Sequence, residues 1–245
     1  MTFNFFLNQE RKRALDKYLQ DGFKDRASST GPIVTFEASI HYYHHKIARD
    51  NLYSLLPCSK LIWILRNPLP RAFSEYLHQA VKSKSYPSFE ELLRAELSAI
   101  RKCRKSRDVQ LEKGFENNLF SCLAKTKLKK YMISTAFYGY FINAWIQKFP
   151  LERHIFIDYE EFRLSPKKTV ESISVFLGLE SPPNLNFTWK YNKANTRDGV
   201  AKKKRSANKL SPSVRSVFLS EVQPFIDKVY EVIHQNYDWV LDSLV

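Results

Sequence analysis

Arg66 stands at the end of an apolar run, Leu61 to Leu65, and is followed at once by Asn67 and Pro68. A guanidinium in that place can fork onto a phosphate through two parallel N–H donors. Ser74 follows on the segment that Pro68 opens, where its hydroxyl can supply a further donor. Taken alone, the same residues read equally as a surface arginine and an idle helical serine. His41, His44 and His45 can share one helical face at a spacing that metal ligands use. No carboxylate or cysteine pattern supports them, so they are read as lining a cleft or the surface, and no metal is expected. Asp158 ends a second apolar run as a magnesium-holding aspartate would, which opens a nucleotide or phosphoryl kinase reading. Against it, the six glycines (Gly22, Gly31, Gly114, Gly139, Gly178, Gly199) nowhere form the phosphate-cradling G-x-x-x-x-G-K-[ST] loop.

These residues need a frame. Lys60 to Leu65 and His154 to Tyr159 are short continuous apolar runs and read as buried parallel strands. Asn67 is a natural N-cap with Pro68 at the first helical position, and Ala72, Phe73, Tyr76, Leu77 and Ala80 then form a helical stripe. After the second strand, Ser165 and Pro166 open a helix whose Val170, Ile173, Phe176 and Leu177 face inward, and Gly178 supplies a left-handed stop. Helical periodicity also covers Phe89 to Ile100 and Tyr131 to Phe149, and a last helix runs from Pro212 to Trp239 with Val214, Val217, Phe218, Val222 and Phe225 inward. The lysine- and arginine-rich stretch 101–130 reads as an exposed excursion, and 181–212 as a long basic loop. Strands alternating with helices predict an α/β domain with a central parallel sheet flanked by helices, one domain over residues 1–245.

Composition narrows the partners. Net charge is +14, so an anionic partner is favoured without being identified. With 44% hydrophobic residues the chain can bury a real core, which excludes wholesale disorder. Cys58 precedes an apolar run and is expected to be a small buried hydrophobe. Cys103 and Cys122 flank a polar stretch and can pair in an oxidising compartment. The longest uncharged run, Tyr131 to Gln147, is short for a membrane span of roughly 20 residues. No signal peptide is visible at Met1 to Phe6. The sequon Asn186-Phe187-Thr188 matters only in a secretory setting.

The succession of an apolar strand, Arg66-Asn67-Pro68 and Arg71-Ala72-Phe73-Ser74-Glu75-Tyr76 resembles the 3′-phosphate-binding motif of sulfotransferases that use 3′-phosphoadenosine 5′-phosphosulfate. Thr35 to Ser39, Tyr42-Tyr43 and Leu55-Leu56-Pro57 are similar to the acceptor side of the Golgi heparan sulfate and chondroitin sulfotransferases. Tyr138-Gly139-Tyr140, Trp145, Phe149-Pro150, Tyr159-Glu160, Phe176 to Leu179 and the ending from Leu210 to Trp239 resemble that family's carboxyl half. The resemblance implies a P-loop-NTPase-like sulfotransferase fold and sulfuryl transfer to a hydroxyl or amine of a carbohydrate, an acidic polysaccharide such as a glycosaminoglycan. The product nucleotide would be adenosine 3′,5′-bisphosphate, with neither metal nor nucleic acid involved. It implies Glu37 as acceptor base, His41 and Tyr42 at the acceptor, and Arg66 and Ser74 on the 3′-phosphate. Arg197, Lys203, Lys204 and Arg205 then belong to a basic loop over the donor nucleotide. A Golgi lumenal or membrane location follows by the same resemblance, any membrane attachment coming from a segment outside this chain.

Three departures qualify it. Ala38 stands where many members carry lysine, and the basic loop lacks the cysteine pair of heparan sulfate members. In addition, no Lys-x-Gly-Thr-Thr-like loop for the 5′-phosphosulfate is found, so the opening strand–loop–helix is expected to be missing. A catalytically weak binder of acidic glycans or nucleotides is therefore the alternative from another class.

Overall fold

The computed structural model describes residues 13, 36–80, 85–105, 115–126, 128, 131–179, 210–237 and 239. After a turn of 3-10 helix at Tyr42–His44, the elements are α1 (Lys46–Leu55), β1 (Leu61–Leu65), α2 (Pro68–Ala80), α3 (Phe89–Lys105), α4 (Phe115–Ala124), α5 (Tyr138–Ile146), β2 (His154–Asp158), α6 (Tyr159–Leu164), α7 (Pro166–Leu177) and α8 (Pro212–Ile233). Strands β1 and β2 pair in parallel, with Leu61 opposite His154 and Leu65 opposite Asp158. Among the described residues the predicted α/β frame is present as two parallel strands with helices before, between and after them.

One face of the sheet enters the core. Trp63 and Leu65 pack there with Ile142, Trp145, Phe149, Val229 and Ile233. Ile62 and Ile64 point the other way and remain 41% and 50% exposed, so the apolar run is buried on one side only. Strand side chains alternate between faces, and only one face of β1 is covered. A hydrogen-bond relay fixes the buried side. Trp63 Nε1 donates to His154 Nδ1 at 2.9 Å. Indole N–H can only donate, so the proton of the imidazole sits on Nε2, which faces the Phe149 carbonyl at 2.9 Å. The ring is thus neutral, and burial lowers its pKa.

Helix α2 starts as expected, with Asn67 Oδ1 accepting from Leu69 N at 3.1 Å. Beyond it, three expectations need correction. The stretch 101–130 is not simply an exposed excursion: α3 runs on to Lys105, and α4 buries Leu119 and Leu123. Cys103 and Cys122 are joined in a disulfide, while Arg101 and Arg104 reach Glu221 on α8 at 2.8 and 3.0 Å. Lysines and arginines give that segment its basic character, but Cys103, Leu119 and Leu123 enter the core. Cys58 is exposed rather than buried. It falls in the turn before β1, where no core face is available to it. Finally, the segment after β2 forms two helices instead of one. Asp158 Oδ1 caps the first by accepting from Glu160 N at 2.6 Å, whereas the Ser165 side chain makes no cap bond on the second. On α7 the fully buried residues are Thr169 and Ser174; Val170, Ile173, Phe176 and Leu177 are half-buried. Gly178 ends it at φ 77° as expected.

The predicted helix Tyr131 to Phe149 is cut short for a specific reason. Glu96 on α3 has no exposed surface, and its carboxylate accepts from Met132 N, Ile133 N, Ser134 N and Ser134 Oγ at 2.7, 3.0, 2.9 and 2.8 Å. Backbone donors spent on a side chain cannot continue a helix, so 134–136 makes one turn of 3-10 helix and α5 begins at Tyr138. There α5 lies directly on α8: a Cβ at Gly139 would come within 2.6 Å of the Lys228 and Val229 backbone. Among the described residues no helix is long and apolar enough to cross a membrane.

Replacing Glu96 by Ala should strand these buried donors and lower unfolding stability by about 3–5 kcal/mol. Urea unfolding measures the loss, and Glu96→Gln, which keeps one acceptor oxygen, should recover part of it.

Candidate functional site

Equal strand ends place Arg66 and Tyr159 beside one another, just past the carboxyl edge of β1 and β2. In parallel α/β sheets this edge is where ligands bind. The Arg66 guanidinium lies over the Tyr159 ring, 4.6 Å from its centroid. Its Nε is buried without a hydrogen-bond partner, and the nearest carboxylate oxygen, Glu160 Oε1, is 3.8 Å away. The buried Tyr138 hydroxyl bonds to the Arg66 backbone, and burial pushes that phenol well above its ordinary range. Ser74 sits half-buried on α2, about 9 Å along the helix axis from Pro68. It shares a helical stripe with Asn67 and Arg71.

Arg71 ties this region to the acceptor segment. Its Nη1 donates to Met132 O at 3.0 Å and Thr135 Oγ1 at 2.8 Å, and its Nη2 to the Tyr43 hydroxyl at 3.4 Å. The Tyr43 hydroxyl in turn donates to Thr135 O, and Trp145 Nε1 donates to Tyr43 O at 2.8 Å. Tyr43 is thus held at both ends, and the chain before it is fixed against the helices. Glu37 is exposed there, and the Tyr42 side chain hydrogen-bonds to it. Partial loss of water around its carboxyl raises its pKa above the usual carboxylate range, and the Tyr42 bond offsets part of that rise. His41 is exposed beside them, its ring 5.8 Å from that of His44.

His44 wedges between Tyr43, Phe120 and Phe141, with ring separations of 4.7, 5.8 and 6.2 Å. Burial first, then the neighbouring His45, His41 and Arg71, lowers its pKa to about 3. It is a neutral packing residue. Among the described residues no three His, Cys, Asp or Glu side chains gather as a metal site would require. Asp158 has its carboxylate taken up by protein donors: Oδ1 by Glu160 N and Glu161 N, Oδ2 by Trp239 Nε1 at 2.6 Å. Both oxygens are thus engaged within the chain, Oδ1 as a helix cap and Oδ2 by an indole, which gives Asp158 a structural role.

Of the residues singled out in the sequence, Glu37, His41 and Tyr42 come together on one segment, while Arg66 precedes α2 and Ser74 lies two turns into it. Arg197, Lys203, Lys204 and Arg205 lie outside the described residues. Sequence reasoning missed Arg71, Tyr43, Thr135, Tyr138 and Tyr159. Arg71 carried a readable mark, since an arginine next to the apolar stripe of an amphipathic helix must find internal acceptors.

Comparisons with known proteins identify the family of the chain. A family model described as "Sulfotransferase domain" matches residues 44–228. The bifunctional heparan sulfate N-deacetylase/N-sulfotransferase 1 of Caenorhabditis briggsae is 31% identical over 150 residues, 61% of this chain and 16% of that protein. The human N-deacetylase/N-sulfotransferase 2 is 25% identical over 187 residues, covering 75% of this chain and 18% of its own length. The mouse N-deacetylase/N-sulfotransferase 3 is 28% identical over 189 residues, again 75% and 18%. The chain thus spans less than a fifth of the curated relatives it matches. Among solved structures, a sulfotransferase from Alicyclobacillus acidocaldarius aligns with a TM-score of 0.59 at 20% identity, over 97% of this chain and 80% of that one, which is a likeness of fold. By the family model, which takes in well over half of its length, this chain belongs to the sulfotransferase domain family.

Proposed function

We propose that the chain binds 3′-phosphoadenosine 5′-phosphosulfate and transfers its sulfuryl group to a hydroxyl or amine of a glycosaminoglycan-type carbohydrate. The observation that carries the reading is Arg66, a cation at the carboxyl edge of a parallel sheet whose buried Nε lacks a hydrogen-bond partner. Its planar donors suit a phosphate, and Ser74 lies on the helix that begins one residue after Asn67. The donor supplies an activated sulfur, whose bond to the bridging oxygen breaks as the acceptor oxygen or nitrogen bonds to it, leaving adenosine 3′,5′-bisphosphate with the electron pair. Glu37 takes the acceptor proton, and its raised pKa makes it a stronger base than an ordinary carboxylate. Tyr42, hydrogen-bonded to Glu37, orients that carboxylate, and His41 borders the acceptor.

The acceptor class is supported by the heparan sulfate relatives, whose N-sulfotransferase names also favour an amine. The net charge of +14 suits a polyanionic chain. Arg197, Lys203, Lys204 and Arg205 are proposed to contribute positive charge to the donor's phosphates. The Cys103–Cys122 disulfide favours an oxidising compartment, in keeping with a Golgi lumenal enzyme.

Isothermal titration with adenosine 3′,5′-bisphosphate tests the donor site. Binding is expected for the wild type, with Arg66→Ala weakening it by about 2–3 kcal/mol; absence of binding at millimolar nucleotide would overturn the reading. Glu37→Gln should keep nucleotide affinity and lower turnover about 100-fold or more. A base works only when deprotonated, so the wild-type rate should fall as pH drops through the Glu37 pKa, above the usual carboxylate range. The Gln variant should lack that limb, and unchanged turnover would remove Glu37 from the base role.

A further inference from the structure

Tyr159 and Glu160 are drawn into the anion site by the same register that places Arg66. A guanidinium held over a phenol ring is fixed in place while its N–H donors stay available to a ligand that can take two at once. The stack also removes much of the freedom that a long side chain would otherwise lose on binding. Tyr159 itself is well anchored. It is the first residue of α6, next to Asp158, whose carboxylate caps the helix and accepts from Trp239 Nε1.

Glu160 occupies the remaining side. Its Oε1 lies 3.8 Å from Arg66 Nε, outside hydrogen-bond range, while its Oε2 accepts from Arg163 Nε at 2.9 Å. The carboxylate is thus near enough to attract Arg66 but bonded elsewhere. Its side chain is 40% exposed, so the attraction is weak and easily exchanged.

We propose that Tyr159 is the positioning residue of the Arg66 anion site and that Glu160 is a resident counter-charge displaced by the incoming 3′-phosphate. This rests on the donor reading given above. When the phosphate takes the Arg66 donors, Glu160 remains paired with Arg163, so no charge is left unpartnered by the exchange. Affinity for the 3′-phosphate then reflects the new bonds minus the attraction of Glu160 that they replace.

The ratio of dissociation constants for adenosine 5′-monophosphate and adenosine 3′,5′-bisphosphate, measured by titration on the full chain, isolates what the 3′-phosphate contributes. Tyr159→Leu should reduce that ratio about tenfold, and Tyr159→Phe, which keeps the ring, should stay within about twofold of wild type. Glu160→Gln should raise it, about threefold, by removing the competing charge. Affinity for the 5′-monophosphate should be unaltered throughout, which a general structural defect would not allow. A large wild-type ratio left intact by Tyr159→Leu, or equal losses in the Leu and Phe variants, overturns the positioning role alone. A wild-type ratio near one overturns the donor reading as well. Should Tyr159→Leu not fold, Glu160→Gln still decides the exchange, and an unchanged or lowered ratio overturns it.

Discussion

A carboxylate with no exposed surface, Glu96, sets the geometry of everything on the acceptor side. Burying that charge is tolerable only because four donors surround it, three of them backbone N–H groups of consecutive residues. Those donors can come from consecutive positions only if the chain abandons helical bonding there, so the requirement of one charge dictates the bend at 132–134. The bend presents Met132 O and Thr135 Oγ1 to Arg71 and Thr135 O to Tyr43. Arg71 is itself partly buried, and Glu75 and Glu96 are among the groups that favour its charged form. The link from a helix on the donor side to the segment bearing Glu37 is therefore a network of satisfied buried polar groups, which is rigid because any partial version of it is costly.

The donor side depends on a different constraint, the register of two short strands. Parallel pairing of Leu65 with Asp158 makes Arg66 and Tyr159 neighbours without any further adjustment. A slip of one residue would invert every side chain of β1, placing Ile64 where Leu65 is buried and breaking the Trp63–His154 bond. Core packing and ligand geometry are thus selected together. Trp63, His154 and Phe149 hold the register from one face of the sheet, and its carboxyl edge carries the candidate chemistry.

Much of this frame was legible in the sequence. The places of both strands, the Asn67–Pro68 helix start, the Gly178 stop and the inward face of the last helix depend on local rules of periodicity and capping and stand as read, although Tyr159 opens a helix and the last helix ends at Ile233 rather than Trp239. Arg66 and Ser74 were found because their motif is local too. What escaped reading was set by distant partners. Tyr131 to Phe149 has helical periodicity throughout, and nothing within it reveals that Glu96, far earlier in the chain, captures three of its amides. The basic stretch after Ile100 looked solvated because composition averages over faces, while Glu221 on α8 and the Cys103–Cys122 bond recruit parts of it to the core. Tyr159 was read only as the end of an apolar run and part of a family motif, since its value comes from standing beside Arg66 and not from its own surroundings in sequence.

The polar groups buried around the site also explain how a strongly basic chain can keep a defined field near its ligand. Burial is the largest influence on His44, His45 and His154, and in each it lowers the pKa and favours the neutral form near neutral pH. Tyr138 is pushed upward and stays a neutral phenol. The groups that pack the site therefore add no charge of their own near neutral pH. Two of the site's cations, Arg66 and Arg71, differ in function because they differ in satisfaction. Arg71 has acceptors for both of its terminal nitrogens and is committed to structure. Arg66 has a ring beneath it, a carboxylate just out of bonding range and a buried donor still to be used, so of the two it is the cation that a phosphate can claim.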